Sequence, residues 1–300
     1  MNPTKPEAPG PDCPGAAATT EAMPTTPMKS RNIWGDRLQA PFMAVGDHIG
    51  VELPGGRAIF TTRRGGVSAE PFDTLNVGLN TNDYMPAVEE NRERVARFSG
   101  IPRDHWLESK QVHGSDVQRI SEAPGSGAKL VEADGAATNL EGFAPMVMTA
   151  DCLPVALITP GAVAMIHAGW RGLSADILKQ GVQAIRDLGA EGEIQAAVGP
   201  SIGVCCYEVN TWVHRAFMRY PRGVERLSNH AHLKNVARLQ LQSAGLSLEQ
   251  VHDCDICTMC APRSLFHSHR RDYGDDPANT GRQASLVWRV GEDGGGDWPT

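Results

Sequence analysis

The chain has 300 residues, a formal net charge of −7, 41% hydrophobic residues and 21% charged residues, a composition typical of globular proteins. The acidic balance argues against non-specific nucleic-acid binding, because a surface that follows phosphates needs clustered Lys and Arg. No run reaches the roughly 18 apolar residues of a membrane span and the start lacks a secretory signal pattern, so we predict a cytoplasmic protein without a membrane partner.

Residues 1–34 are rich in Pro, Ala, Thr and Gly and show no periodicity, so a disordered leader is predicted there. Residues 291–300 predict a flexible tail in the same way. Between them the chain shows no internal repeat and no linker. We therefore predict one domain over residues 35–290.

Helices and strands alternate irregularly along this domain. Apolar residues repeat at helical spacing over 86–100, 173–189 and 209–220. Strand-like runs are RAIFTT (57–62), MVMTA (146–150), LPVALI (153–158), AVAMIH (162–167), IQAAVG (194–199) and ASLVWRV (284–290). The irregular order predicts a mixed α/β or α+β sandwich and not a regularly wound nucleotide-binding sheet.

The segment TADCLPVALITPGAVAMIHAGWRG (149–172) joins two of these strands through a Pro-Gly turn. Antiparallel pairing across that turn places residues whose numbers sum to 321 opposite each other, so His167 faces Pro154 and Cys152 faces Gly169. The Cys152 and His167 backbones are then roughly 7 Å apart at one end of the hairpin. Both side chains are within reach of one metal ion.

A third candidate ligand is His113 in SKQVHGSDV, where an extended run ends in a Gly turn. One Cys and two His suit zinc with an open fourth position, as in catalytic sites. Each residue taken singly is more often a buried thiol or a satisfied core histidine. The nearest carboxylates in the motifs are Asp151 and Asp134, and either one could orient a ligand histidine. We place Asp151 among the predicted catalytic residues.

Eight segments carry a family pattern in unbroken order: TTRRGGVS (61–68), LNVGLNTND (75–83), KQVHGSDV (110–117), ADGAAT (133–138), TADCLPV (149–155), HAGWRG (167–172), GPSIGVCCYEV (199–209) and SHRRD with GRQASLVW (268–288). Together they resemble the bacterial YfiH-type family, known as polyphenol oxidase or laccase-domain proteins and as zinc-dependent purine nucleoside phosphorylases.

The resemblance implies a four-layer α-β-β-α domain that is catalytic. It implies Zn²⁺ as cofactor, with His113, Cys152 and His167 in the positions of the family's zinc ligands. It also implies phosphorolysis or deamination of adenosine and related purine nucleosides. The expected partners are therefore small molecules, a purine nucleoside and phosphate, bound by a monomer or a homodimer.

Phosphorolysis needs a group that holds phosphate beside the ribose, and an Arg fork beside flexible glycines can do this. In TTRRGG we predict Arg63 as the phosphate ligand, with Arg64 as the weaker candidate, although adjacent arginines at a strand end are often only solvated charges. Asn76, from the LNVG turn, is predicted to contact substrate through its amide. Deamination would instead use a water activated at the open zinc position.

Two other interpretations use the same residues, and a third is disfavoured. Cys152 could act as a thiolate nucleophile with His167 or His113 as its base, giving an amidase or acyl hydrolase that edits peptidoglycan precursors, as some relatives are implicated in doing. A binding module with structural zinc would need a fourth protein ligand and no open cleft. Multicopper oxidase chemistry is disfavoured, because the ten histidines are scattered along the chain.

The seven cysteines have no regular framework spacing, which predicts reduced thiols or metal ligands in place of disulfides. Cys254, Cys257 and Cys260 form C-x2-C-x2-C, but no fourth cysteine follows closely, so the run is weak evidence for a cluster or a second zinc. Cys205 and Cys206 are predicted to be packing residues near a turn.

Overall fold

The computed structural model describes residues 33–291, apart from 126, 128 and 221–228, together with Trp298. Residues 1–32 of the predicted leader lie outside the described residues, and so does most of the predicted tail. Trp34 is already buried, with its ring 6.1 Å from that of Phe266. At the other end, the Trp298 ring lies 6.0 Å from Trp288.

Two six-stranded sheets form the centre of the domain, and each mixes parallel with antiparallel pairs. In spatial order, the first sheet contains β1 (Phe42–Val45), β2 (His48–Leu53), β3 (Gly56–Phe60), β12 (Gln283–Arg289), β7 (Ala144–Thr149) and β4 (Trp106–Leu107). The second contains β11 (Val251–Asp253), β10 (Gln195–Val198), β8 (Leu153–Thr159), β9 (Ala162–Ala168), β6 (Gly135–Thr138) and β5 (Gln118–Ile120).

Six α-helices surround the sheets in the described part of the chain: α1 (Met85–Ser99), α2 (Trp170–Ser174), α3 (Ile177–Asp187), α4 (Thr211–Phe217), α5 (Leu233–Ser243) and α6 (His269–Asp272). None of these helices has the length and apolar character to cross a bilayer. Three apolar clusters show how the layers stack. Phe60 and Met165 pack between the sheets, Val95 of α1 packs on the outer face of the first sheet, and Ile185 of α3 packs with Val236 of α5 on the outer face of the second. The four-layer α-β-β-α sandwich and the single α+β domain are therefore confirmed.

The β8–β9 hairpin has the predicted register. Pro154 pairs with His167 and Thr159 with Ala162, so opposed residue numbers sum to 321. Gly161 supplies the positive φ of 96° that the two-residue turn needs. Every residue of both strands is buried, because the other sheet covers one face and helices cover the other. This burial explains why both strands are continuous apolar runs in the sequence.

The structure corrects one predicted helix. The apolar repeat over 173–189 belongs to two helices, because the chain turns at Asp176, whose φ of 61° is left-handed. The Asp176 carboxylate accepts a 2.6 Å hydrogen bond from the Tyr220 hydroxyl, a contact that no local pattern reveals. The first predicted helix does run from the Pro86 region to Gly100, where a φ of 72° ends it.

Candidate active site

Cys152 and His167 are brought together by the hairpin. Cys152 directly precedes β8, and His167 is the next-to-last residue of β9. Because the two strands pair in the register above, their side chains meet at the same end of the hairpin. The residue pairing predicted from the turn therefore positions both candidate ligands.

His113 reaches the same place from a loop that is held by a buried carboxylate. Asp134, directly before β6, accepts backbone N–H groups from Val112 at 3.2 Å, His113 at 2.9 Å and Gly114 at 2.5 Å. Its Oδ1 also lies 2.7 Å from Nδ1 of His167. The Asp134 carboxylate thus shapes the loop that carries His113. Because it holds Nδ1 of His167, the other ring nitrogen, Nε2, points away from Asp134.

The three candidate ligand atoms of His113, Cys152 and His167 lie within 4.8 Å of one another. The two imidazole rings are 4.8 Å apart at an angle of 69°. A Cβ at Gly169 would stand 3.1 Å from both the Cys152 Sγ and the His113 Nδ1, so glycine keeps the space between the ligands clear. His167 is buried whereas His113 is exposed, so the cluster opens to solvent on one side.

Electrostatics favour ionised sulfur in this cluster. Burial raises the pKa of Cys152, but the charges and hydrogen bonds of His167 and His113 outweigh burial and lower it to about 6. Burial lowers the pKa of His167, but Cys152 and Asp134 raise it to about 9. Burial likewise raises the pKa of Asp134, and the hydrogen bonds from His167 and the backbone bring it below its ordinary value. A thiolate, the form that binds metal, is thus stabilised before any ion arrives.

The donor set fits a divalent ion of the zinc type. One thiolate and two imidazoles are the ligands that such ions prefer, and three protein ligands leave one position open. Among the described residues no fourth Cys, His, Asp or Glu joins this group. A closed structural site, which needs four protein ligands, is therefore not supported.

Asp151 does not point its carboxylate into this group. Its side chain accepts hydrogen bonds from Thr258 Oγ1 at 2.6 Å, Ser268 Oγ at 3.0 Å and the Arg270 N–H at 2.6 Å. Burial raises its pKa, although these donors oppose the effect. Asp151 has a left-handed φ of 83°. Its hydrogen bonds connect the start of β8, and hence Cys152, to the segment that contains Ser268 and Arg270. These hydrogen bonds suit a positioning role, and a catalytic role of Asp151 stays a prediction.

Arg63 occupies the interior and not the cleft. Its side chain is 1% exposed, and its guanidinium donates to Asp73 Oδ1 at 2.8 Å, to the Pro71 carbonyl at 3.0 Å and to the Arg263 carbonyl at 3.2 Å. A further bond from Nε goes to the Asp73 carbonyl. These partners use the guanidinium inside the protein, and the phosphate contact of Arg63 stays a prediction. A motif indicates that an arginine is needed, but not which way it faces.

Asn76 is also fully buried. Its amide nitrogen donates to Thr81 and Asp83 at 2.9 Å each, and its carbonyl oxygen accepts from the Gly78 N–H at 3.0 Å and the Arg282 N–H at 2.8 Å. All its polar groups are satisfied within the fold. Asn76 therefore fixes the backbone beside Arg282, and its substrate contact stays a prediction.

Sequence reasoning missed the residues around the cleft. Burial lowers the pKa of Arg282, whereas charge on Cys152 and Asp151 raises it, and its guanidinium donates to the Thr280 carbonyl and, at 3.1 Å, to the Gly281 carbonyl. Burial and the charges of Arg282, Arg270 and His113 lower the pKa of His269, which is held by stacking on Tyr273 at 4.9 Å. The SHRRD and GRQASLVW motifs, which contain His269, Arg270 and Arg282, are the sequence signal that could have found them.

The remaining histidines build no copper cluster. All ten histidines of the chain fall within the described residues, and only His113 and His167 belong to a group of three or more potential metal ligands there. A multicopper oxidase needs many more histidines around its copper cluster. The ligand sets therefore disfavour that chemistry.

Several known proteins are similar to this chain over most of its length. A family model described as multi-copper polyphenol oxidoreductase laccase matches residues 57–290. The chain is 39% identical over 251 residues to a Xylella fastidiosa protein named purine nucleoside phosphorylase, covering 78% of this chain and 93% of that one. It is 37% identical over 245 residues to purine nucleoside phosphorylase YfiH of Escherichia coli, covering 79% and 95%. The crystal structure of YlmD from Geobacillus stearothermophilus has a TM-score of 0.75 at 32% identity, covering 85% of this chain and 100% of that one.

Proposed function

Because this chain belongs to the family described as multi-copper polyphenol oxidoreductase laccase, the YfiH-type family that its motifs resemble, we propose that it is a zinc-dependent purine nucleoside phosphorylase. Relatives that carry the name purine nucleoside phosphorylase align over about the same four fifths of the chain. The name says what those relatives do, and the cleft described above supports extending it to this protein. The proposed substrates are adenosine and related nucleosides, with phosphate.

The observation that carries the proposal is the convergence of His113, Cys152 and His167 at an open cleft, with Asp134 fixing one ring. We assign Zn²⁺ to these three residues, since they match its ligand preference and leave a position for the reactant. When bound, the ion would supply Lewis-acid stabilisation of an oxygen atom at the reacting centre.

The chain's own side chains would hold the reactants. In phosphorolysis, a phosphate oxygen forms a bond to C1′ of the ribose while the bond from C1′ to the purine nitrogen breaks, and that electron pair leaves with the base. Arg270 and Arg282 belong to the SHRRD and GRQASLVW segments, the first of which meets the site where the Arg270 backbone N–H donates to Asp151, and we assign them the phosphate alongside the predicted Arg63. His269 is neutral at pH 7 and can hydrogen-bond the nucleoside.

The decisive experiment incubates zinc-replete protein with adenosine, with and without phosphate, and identifies the products. Adenine and ribose 1-phosphate, formed only when phosphate is present, are the expected result. Inosine formed alongside them would show the deaminase activity as well. Inosine alone would replace phosphorolysis by deamination, and the absence of all these products would refute both activities.

The phosphate assignment has its own test. Removing a charged hydrogen bond costs about 1.5–3 kcal/mol, so Arg282→Gln should raise the KM for phosphate about tenfold or more. Arg97→Gln is the matched control, because Arg97 lies on α1 with a side chain that is 62% exposed and paired with Glu90. An unchanged phosphate KM in Arg282→Gln would remove this residue from the role.

One observation favours a second candidate, the cysteine-dependent amidase. Cys152, His167 and Asp134 line up as thiolate, imidazolium and carboxylate, the arrangement of a nucleophile with its base and orienting acid. Cys152→Ala should abolish activity under either function and does not separate them. Loss of activity on chelation with recovery by zinc favours the phosphorylase, whereas a metal-free, active protein that is rapidly inactivated by alkylation favours the amidase.

We also propose a cytoplasmic location, which the irregular cysteine spacing favours. The oligomeric state stays a prediction of a monomer or a homodimer. Cell fractionation and sedimentation of the purified protein check these two points.

A further inference from the structure

Four cysteine sulfurs come together outside the active site. Those of Cys205, Cys206, Cys257 and Cys260 all lie within 4.8 Å of one another. We propose that in the reduced protein these four thiolates bind a second zinc ion, which has a structural role.

The topology explains why cysteines about fifty residues apart meet. β10 and β11 are parallel neighbours, so the loops that follow them leave the sheet at the same edge. The loop after β10 carries Cys205 and Cys206, and the loop after β11 carries Cys257 and Cys260. The two loops run alongside each other through a parallel bridge between Ser201 and Cys257. Each loop therefore supplies two ligands, as in common structural zinc sites.

The sulfur spacing matches a four-thiolate site. The Cys260 Sγ lies 3.3 Å from that of Cys205 and 3.2 Å from that of Cys206. A tetrahedral zinc ion with bonds of about 2.3 Å separates its sulfurs by about 3.8 Å. The observed range of separations, up to 4.8 Å, includes this value. Small shifts of the side chains would complete the tetrahedron.

The backbone around the cluster is arranged for a thiolate. The Gly203 N–H donates to the Cys257 Sγ at 3.2 Å. A Cβ at Gly203 would stand 3.0 Å from the Cys205 Sγ and 3.5 Å from the Cys257 Sγ, so a glycine leaves room for the sulfurs. N–H donors and a clear space are what a metal-bound sulfur requires.

The cysteine at the start of the C-x2-C-x2-C run is not part of the cluster. Cys254 packs in the core between the two sheets, and burial raises its pKa to about 12. The four-ligand set therefore combines C-x2-C at 257–260 with the adjacent pair 205–206. This explains why the run alone lacked a fourth ligand.

The proposed ion would hold a wall of the active site. Thr258 lies between two of the ligands, and its hydroxyl donates to Asp151, the residue that precedes Cys152. Tyr207 follows Cys206, and its ring lies 5.3 Å from the guanidinium carbon of Arg270, whose backbone N–H also donates to Asp151. Cross-linking the two loops would thus fix both contacts at once.

Cys260 is disulfide-bonded in this structure, which corrects the expectation of reduced thiols or metal ligands in place of disulfides, so the proposal applies to the reduced protein. A disulfide at Cys260 would remove one of the four donors. The experiment is therefore performed on full-length protein treated with a phosphine reductant, loaded with Zn²⁺ and passed through a desalting column. Elemental analysis then gives the zinc and iron content of each chain.

We expect two zinc ions per wild-type chain. The double variant Cys206→Ser/Cys257→Ser should retain one, and the matched control Cys254→Ala should retain two. The double variant His113→Ala/His167→Ala should also retain one, because only the active-site ion is lost. Wild-type protein with a single ion that is unaffected by Cys206→Ser/Cys257→Ser, or with iron in place of zinc, would overturn the proposal.

A second measurement does not require the cysteine variants to fold. In His113→Ala/His167→Ala, one Co²⁺ ion per chain should bind and show the intense thiolate-to-cobalt absorption of a tetrahedral four-sulfur site. Cobalt that binds without this absorption, or that does not bind, would also overturn the proposal. Neither result depends on whether the protein cleaves nucleosides.

Discussion

Asp134 shows how much a single buried side chain can organise. Its two oxygens accept three backbone N–H groups and the Nδ1 hydrogen of His167. The carboxylate is fully buried, so each of these bonds is shielded from water. It thereby sets the loop that carries one metal ligand and the ring orientation of another.

We predict that Asp134→Asn weakens zinc binding by about 10- to 100-fold. The amide oxygen accepts hydrogen bonds less strongly than a carboxylate oxygen does, and the amide NH₂ group would face N–H donors of the loop or of His167. The affinity is measured by competition with a chelating dye. Asp116→Asn, which changes an exposed carboxylate of the same loop, should leave the affinity unchanged. Equal affinities for wild type and Asp134→Asn would show that His167 needs no orienting partner.

His48 is a buried titratable residue far along the chain from the cluster ligands. Its Nδ1 accepts the Thr62 N–H at 3.2 Å, and its ring stands edge-on to Phe98 at 4.6 Å. Burial lowers its pKa from 6.5 to about 4. The unfolded chain therefore takes up a proton at this residue near pH 6.5, whereas the folded protein does so only near pH 4.

It follows that stability contributed by neutral His48 is present above pH 6.5 and is lost as the pH falls towards 4, by at most about 3 kcal/mol. His48→Asn keeps an acceptor but does not titrate there. Urea unfolding at pH 7.5 and at pH 5 should show a smaller loss for His48→Asn than for wild type. Parallel losses in both proteins would mean that His48 does not contribute.

At the level of single elements, α5 begins with an unusual cap. His232 precedes the helix, and its Nδ1 accepts the Asn235 N–H at 3.2 Å. Burial, followed by the charges of Arg238 and Lys234, lowers its pKa, so the ring is an acceptor at pH 7. Aspartate is a stronger cap, because its carboxylate accepts from the same N–H groups and complements the helix dipole.

We therefore predict that His232→Asp stabilises the protein by about 0.5–1 kcal/mol and that His232→Ala destabilises it by about 1 kcal/mol. Denaturant unfolding of the two variants and wild type provides the measurement. If Asp and Ala gave the same stability, the contact between His232 and Asn235 would have no capping role.

The elements that could be predicted from the sequence are those with a strong periodic pattern. β8 and β9 are buried on both faces and α1 has a proline start and a glycine stop, so local residues define them. The boundary between α2 and α3 could not be predicted, because Asp176 adopts its left-handed conformation in contact with Tyr220, 44 residues away. The two-residue strand β4 is too short to have a period at all.

On the scale of the whole molecule, Arg63 connects segments that are 200 residues apart. Its guanidinium joins the Pro71–Asp73 turn to the Arg263 carbonyl and lies 3.8 Å from Asp272. Arg63→Met keeps much of the volume but leaves these acceptors unpaired, so we expect a loss of about 3–5 kcal/mol in unfolding free energy.

Thermal and denaturant unfolding measure this effect, with Arg64→Met as the control that should change stability by no more than about 0.5 kcal/mol. If Arg63→Met were as stable as wild type and had a raised phosphate KM, the result would support Arg63 as the phosphate ligand predicted from the sequence.

The candidate site was predictable where its geometry is local. Cys152 and His167 follow from a short turn, whereas His113 is a candidate only because an extended run ends there in a Gly turn, and no local pattern gives its distance from the other two. From the sequence, Cys205 is predicted to be a packing residue. Its proximity to Cys260 could not be predicted, because it depends on two parallel strands being neighbours. Long-range placement of this kind is a property of the sheet order and leaves no mark within either segment.

The tight connection between β8 and β9 also restricts how the chain can change in length. One added residue beside Gly161 would slide β9 by one position and turn His167 to the other side of its sheet. Since both faces of the sheet are covered by apolar layers, the shifted strand would still be buried, and apolar burial alone would not select against the wrong register. We expect insertions and deletions to be missing from this turn in aligned relatives, although its surface position would ordinarily tolerate them.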